Sequence, residues 1–201
     1  LSHRKLFPSL FHLYQQDNLD EHIAIIGVGR RDYTNDFFRE QVKQSIQTHV
    51  KDTDRLDEFI EHVFYFKNDV NEEESYHELL AFSNELDDTF KLEGNRLFYL
   101  AMAPQFFGPI SDYLKASGLT ETKGFKRLVI EKPFGSDFKS AEKLNNQLRQ
   151  SFKEEEIYRI DHFLVKIWCK ISKFYDSLMR CLNLFGIISI SLIYKSLLQK
   201  Y

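Results

Sequence analysis

The chain has only two cysteines, Cys169 and Cys181, and a single tryptophan, Trp168. Two thiols make no disulfide framework, so a reducing, cytoplasmic setting is expected. Histidines are few, and His3, His12, His22, His49, His62, His77 and His162 show none of the spacings that metal ligation uses, so no metal is expected. Charge of one sign is also lacking. The 27 basic residues face 30 acidic ones, a net of −3, which leaves no electrostatic footprint for nucleic acid or an acidic membrane. The uncharged run Cys181–Tyr194 falls short of the ~20 residues needed to cross a bilayer. No secretory signal opens the chain, which begins at Leu1 rather than Met and is read as cut short at its amino terminus. What is present, 43% apolar and 28% charged residues over 201 positions, describes a soluble globular chain without repeats or low-complexity tracts.

Charge breaks the chain in two. Residues 1–164 carry 21 basic and 29 acidic side chains, a net of −8, whereas residues 165–201 carry six basic and one acidic (Asp176), a net of +5. The second stretch also holds both cysteines, the tryptophan and the proline-free, β-prone run Cys181–Tyr194, which is an aggregation hazard wherever it is exposed. A globular body over 1–164 and a foreign tail over 165–201 are therefore expected.

Within the body, short apolar runs alternate with amphipathic stretches. His22–Val28, Arg96–Ala101, Arg127–Ile130 and Ile157–Ile160 end at Gly, Pro or charged residues and fit buried parallel strands. Between them Phe37, Val42 and Ile46, and later Leu144, Leu148 and Phe152, recur at helical spacing. Thr34 or Asn35, and Ser136 or Asp137, offer N-caps. Strand–helix alternation with right-handed crossovers predicts an α/β fold with a doubly wound, mostly parallel sheet.

In such sheets ligands bind beyond the carboxyl ends of the strands, so the residues after each run carry the functional reading. Ile26-Gly27-Val28-Gly29-Arg30-Arg31 places two glycines, which let a backbone approach a ligand, before two guanidinium forks suited to phosphate. The alternative there is a glycine turn followed by solvated charge. Ala103-Pro104 is a rigid turn that a purely structural role explains. Glu131-Lys132-Pro133-Phe134-Gly135 holds Lys132 extended before proline, so that it reaches across a cleft or simply faces solvent. Arg159-Ile160-Asp161-His162 pairs a carboxylate with an imidazole, which binds a phosphate or sugar hydroxyl or else serves the structure.

In order and spacing, Gly27-Val28-Gly29-Arg30, Asn95–Ala101, Val129–Gly135 and Tyr158–His162 resemble the glucose-6-phosphate dehydrogenase family. Residues Arg159–Lys166 are similar to that family's substrate signature Arg-Ile-Asp-His-Tyr-Leu-Gly-Lys, and Leu1–Pro8 resembles the helix after its glycine-rich phosphate loop. The likeness extends from Leu1 to Leu164. It implies a Rossmann-like coenzyme domain that uses NADP. Arg30 would hold the 2′-phosphate, and Asp69 and Val70 would lie on the adenine side. Lys132 would sit between nicotinamide and sugar as a contact to both, and His162 and Lys166 would bind the phosphate of glucose 6-phosphate. The family, usually homo-oligomeric, moves a hydride from C1 of glucose 6-phosphate to NADP and gives 6-phosphogluconolactone, the oxidative entry to the pentose phosphate pathway. A histidine base oriented by a carboxylate takes the proton.

Three departures from that pattern shape the expectation. The glycine-rich loop and first strand are expected to be missing, which would leave the sheet incomplete at its centre. No histidine follows His162, so no catalytic base is expected within the chain. Residues 165–201 do not follow the family, and a one-nucleotide frameshift after Leu164 would account for Val165–Cys169, a point the encoding DNA decides. The expected protein is thus an incomplete coenzyme domain with an aberrant tail, inactive in turnover. The competing expectations are another NAD(P) sugar oxidoreductase, such as the glucose–fructose oxidoreductase family with its own Glu-Lys-Pro, and a non-catalytic nucleotide-binding or interaction fragment.

Overall fold

Strand and helix periods translate directly into layers. The computed structural model describes residues 6–19, 22–135 and 137–160, and the backbone of 188–194. Its elements follow in the order α1 (Phe7–Gln15), β1 (Ile23–Gly29), α2 (Asn35–His49), α3 (Leu56–Glu61), β2 (Val63–Lys67), α4 (Glu73–Phe90), β3 (Arg96–Ala101), α5 (Phe107–Ala116), β4 (Lys126–Glu131), α6 (Phe138–Leu148), β5 (Ile157–Ile160) and β6 (Ile188–Tyr194). The strands form one sheet in the order β2-β1-β6-β3-β4-β5, and every adjacent pair is parallel.

Alternate residues of the central strands feed two separate cores. Ile23 and Ile25 of β1, Leu97 and Tyr99 of β3 and Val129 of β4 pack with α1, α2 and α3 on one face. Ala24, Ile26, Val28, Phe98, Leu100, Leu128 and Ile130 pack with α4, α5 and α6 on the other. Both faces of β1 and β3 are covered, as parallel strands require, and this is the doubly wound arrangement expected from the sequence.

Several local expectations are settled at single atoms. Thr34, not Asn35, caps α2, its Oγ1 accepting from the Phe37 N–H at 3.1 Å, while Asn35 Oδ1 accepts from the Tyr65 N–H. Asp137 caps α6 through a capping box with Ser140; Ser136, the other candidate, lies outside the described residues. On α2 the buried face is Phe38, Val42 and Ile46, and Phe37 is 47% exposed. The i, i+4, i+8 spacing puts Phe38 rather than Phe37 in line with Val42 and Ile46. Phe152 is buried just beyond the end of α6 instead of within it.

The largest difference from expectation is at the centre of the sheet. The position between β1 and β3, expected to lack a strand, is held by β6 from the far end of the chain. Ile188–Ile193 pair with Ile23–Val28 on one side, and Ser189–Tyr194 pair with Arg96–Ala101 on the other. The run read as an aggregation hazard thus contains a two-sided ladder partner. Uncharged, β-branched composition suits a central parallel strand as well as it suits a fibril.

An ion-pair and aromatic clamp joins α1 to α3. Arg55 binds Asp17 at 2.7 Å and Glu58 at 2.9 Å and lies 4.6 Å from the Tyr14 ring centroid, and the Tyr14 hydroxyl donates to Glu58 Oε1 at 2.5 Å. Donation from Arg55, then from Tyr14, pulls the Glu58 carboxyl from its ordinary 4.5 down to about 2. Burial, reinforced by the Glu58 carboxylate, pushes the Tyr14 phenol up. Among the described residues no helix is long and apolar enough to cross a membrane, and no cluster of three or more His, Cys, Asp or Glu is placed to hold a metal.

Two outcomes follow from this architecture. Proline at Ile190, which pairs with both Ile25 and Leu97, removes a ladder N–H and is expected to cost about 2–4 kcal/mol. A circular-dichroism melt of Ile190→Pro should shift down by several degrees while Ile190→Val melts as the parent; an unshifted Ile190→Pro melt would remove β6 from the sheet. A carboxyl whose pKa is depressed on folding contributes stability above its unfolded value that is lost as pH falls toward the folded one. Chemical denaturation between pH 4.5 and about 2 should therefore show a loss to which Glu58 contributes, and the slope should be shallower in Glu58→Gln.

Candidate functional site

Parallel pairing brings the carboxyl ends of all the strands to one edge, where turns leave main-chain groups and short polar side chains facing outward. β1 ends at Gly29, followed by exposed Arg30 and Arg31. The neighbouring β2 ends at Lys67, and the buried Asn68 after it is tied to β1 by its own N–H to the Gly29 carbonyl, at 2.9 Å. Half-buried Asp69 and Val70 then turn into α4. The Asp69 carboxylate accepts from both the backbone and side-chain nitrogens of Asn71, at 3.1 and 3.0 Å, and the Val70 carbonyl accepts from the Tyr76 hydroxyl at 3.2 Å. Burial pushes the Tyr76 phenol up, so it remains a donor. Arg30, Asp69 and Val70 therefore follow the ends of two adjacent strands.

Arg30 makes no side-chain hydrogen bond or ion pair among the described residues. An exposed guanidinium at the carboxyl edge of a parallel sheet fits a phosphate-bearing ligand. Arg31 is held differently. Its Nη1 donates to the Tyr33 hydroxyl at 2.5 Å, and its carbonyl accepts from the Tyr65 hydroxyl at 2.7 Å. Burial raises the Tyr65 phenol to about 12, so this donor stays protonated at neutral pH.

Gly27 has a packing role. A Cβ there would sit 2.2 Å from Cζ of Phe38, so this glycine lets α2 lie close against β1. The expectation that it opens the backbone to a ligand gives way to that contact.

Lys132 follows the end of β4, three strand spacings from β1, or about 14 Å. It is exposed, its backbone N–H donates to the Ile160 carbonyl at 3.1 Å, and it precedes a cis proline at Pro133. Beside it the Glu131 carboxylate accepts from the hydroxyl of the buried Tyr99. Burial, with Glu131 as second cause, holds that phenol far above its ordinary value. The sequence signal for Tyr99 is the one hydroxyl in the strand Arg96–Ala101. Arg159 is partnered within the fold. It binds Glu154 at 2.7 Å and Asn145, fastening β5 to α6 and the turn before β5. His162 and Lys166, with Asp161, lie outside the described residues.

Comparison with known proteins adds the family context. The family model described as "Glucose-6-phosphate dehydrogenase, NAD binding domain" matches residues 1–170. Glucose-6-phosphate 1-dehydrogenase of Bacillus subtilis is 48% identical over 166 residues, and that of Streptococcus pneumoniae 46% over 166, each match covering 83% of this chain and 34% of the relative. The chain therefore spans about a third of the length of the curated relatives it matches. A solved glucose-6-phosphate dehydrogenase in complex with its substrate glucose-6-phosphate superimposes with a TM-score of 0.72 at 34% identity, covering 90% of this chain and 38% of that one. The enzyme from Mycobacterium avium gives 0.69 at 32% identity, covering 82% and 34%.

The packing role of Gly27 predicts that Gly27→Ala destabilises the fold by ~1–3 kcal/mol through overpacking against Phe38. In a double-mutant cycle measured by denaturant unfolding, Phe38→Leu should recover part of the loss. Strict additivity would place the clash elsewhere.

Proposed function

The chain belongs to the glucose-6-phosphate dehydrogenase family, and from that premise we propose that it forms the coenzyme domain of an enzyme oxidising glucose 6-phosphate at C1 with NADP. The observation that carries this reading is the distribution of cations along one sheet edge: Arg30 beside Asp69 and Val70 at one end, and Lys132 about three strand spacings away. That separation suits the two ends of an extended dinucleotide. Arg30 would hold the 2′-phosphate through its guanidinium fork, and Asp69 and Val70 would frame the adenine. Lys132 would hydrogen-bond the sugar at the nicotinamide end, its main chain held by Ile160. His162 and Lys166 would fix the sugar phosphate. When bound, the nicotinamide of NADP supplies the hydride acceptor, with 6-phosphogluconolactone as the product.

The expected histidine base has no counterpart after His162 in this sequence. These 201 residues are proposed to bind cofactor without turning substrate over, with residues 1–164 and the strand β6 together forming the coenzyme unit. The reading places the protein in the cytoplasm and in carbohydrate metabolism. The Arg-Ile-Asp-His context of Arg159–His162 favours it over the glucose–fructose oxidoreductase alternative.

Calorimetric titration should show NADP binding that Arg30→Gln weakens by about tenfold or more, with little change in NAD binding. Assays with glucose 6-phosphate and NADP should show no turnover by the same preparation. Absence of dinucleotide binding by the folded chain would defeat the coenzyme-domain reading, and turnover at an ordinary rate would defeat the inactivity.

A further inference from the structure

β5 is only four residues long and lies at the edge of the sheet, with a ladder to β4 on one side. So few main-chain bonds fix its position along β4 weakly, yet its last carbonyl, that of Ile160, receives the Lys132 N–H at 3.1 Å. The preceding side chain supplies the further constraint. Arg159 donates through Nη1 to Glu154 Oε1 at 2.7 Å and through Nη2 to Asn145 Oδ1 on α6. Glu154 also accepts from Nε of Arg149, the residue that ends α6, at 3.2 Å. Both partners of the Arg159 guanidinium therefore refer β5 to α6.

α6 is itself fixed from its opposite side. Gln147 lies two residues beyond Asn145, more than half a turn around the helix, and its Nε2 donates to Asp112 Oδ2 of α5 at 2.5 Å. Gly108 lets the two helices approach so closely that a Cβ there would sit 2.1 Å from Gln147 Oε1. Just past α6, Ser151 Oγ donates to the Ser111 carbonyl at 2.9 Å. The cap of α6 at Asp137 follows the Lys132–Gly135 turn in the chain. A closed circuit results, from Lys132 through its turn, α6, Asn145, Arg159 and Ile160 back to the Lys132 N–H. Asn145 Oδ1 is the link in it that ties β5 directly to the body of α6.

Resting on the reading above, in which Lys132 meets the sugar, we propose that Asn145 is a positioning residue for Lys132, acting through Arg159 and β5 and touching no ligand itself. Its carboxamide oxygen sets where β5 stands along β4, and so where the main chain of Lys132 is held. A displacement of about 1 Å is enough to spoil a directional contact between a side chain and its substrate. Alanine at this position removes an acceptor from a charged donor, whereas aspartate keeps an oxygen there.

Isothermal titration of the full chain with glucose 6-phosphate, and with 2′,5′-ADP as a probe of the adenine end alone, tests this. Asn145→Ala should weaken glucose 6-phosphate about tenfold and leave 2′,5′-ADP within about twofold. Asn145→Asp should bind both ligands as the parent does. Lys132→Met should itself weaken glucose 6-phosphate, and adding Asn145→Ala to it should lose less than about twofold more. Equal losses for the two ligands in Asn145→Ala would make this a structural residue and overturn the proposal. Unchanged glucose 6-phosphate binding in Asn145→Ala, an Asn145→Asp as weak as the alanine variant, or fully additive losses in the double variant would overturn it as well, and each leaves the assigned role of Lys132 standing. Glucose 6-phosphate binding untouched by Lys132→Met defeats that role and this proposal together. A parent that binds 2′,5′-ADP but no glucose 6-phosphate defeats the proposal with the sugar end of the reading, and a parent that binds neither defeats the coenzyme-domain reading too.

Discussion

Everything at the ligand edge depends on the pairing of β6 with β1 and β3. Those two strands are central, covered on both faces, and separated in the sheet by one strand's width. An empty gap would leave the inward backbone groups of Ile23–Val28 and Arg96–Ala101 without ladder partners in the middle of the molecule. Each such buried group costs about 1–3 kcal/mol when unmatched. β6 closes both ladders over six residue pairs on each side. It also fixes the lateral distance between the β1 end, with Arg30, and the β4 end, with Lys132. A functional reading based on that spacing is therefore a reading of sheet continuity.

Legibility in the sequence followed the range of the interaction that decides each feature. β3 and β5 coincide with their apolar runs, and β1 and β4 differ from theirs by a residue or two, because composition and strand length are local. β2 was not picked out. As an edge strand it is only half-buried after Val63, and Phe64, Tyr65 and Phe66 alternate with no clear polar face. The register of α2 was off by one residue at Phe37, since two adjacent phenylalanines give periodicity no means of choosing; the Gly27–Phe38 contact chooses. The place of β6 could not be read locally at all. Its partners β1 and β3 lie some 90 to 165 residues earlier in the chain, and composition states only that the run wants strand neighbours on both sides.

The site followed the same rule. Arg30 and Lys132 come to the carboxyl edge after strands that are visible in sequence, whereas Asp69 and Val70 follow β2 and were expected from the family resemblance alone. Residues that hold them are visible only in space. Tyr65 reaches the Arg31 carbonyl from the next strand, Tyr99 reaches Glu131 across the β3–β4 pair, and Tyr76 reaches Val70 from inside α4. All three are tyrosines with bodies in a core and hydroxyls at a turn, the amphipathic use to which this side chain is suited. Burial keeps each phenol protonated, so each serves as a permanent donor.

The same logic binds the two most family-specific motifs to each other. The N–H of Lys132 is bonded to the carbonyl of Ile160, the residue immediately before Asp161 and His162. Ile160 is also in register with Glu131, whose carboxylate is held by Tyr99. Arg159, one residue earlier, is fastened to Glu154 and Asn145. Lys132 and the entry to the Asp161–His162 segment therefore share a main-chain hydrogen bond and a side-chain anchor on each side. A shift of β5 relative to β4 would move Lys132 and Ile160 together, and Arg159, bonded to Glu154 and Asn145, holds β5 against such a shift.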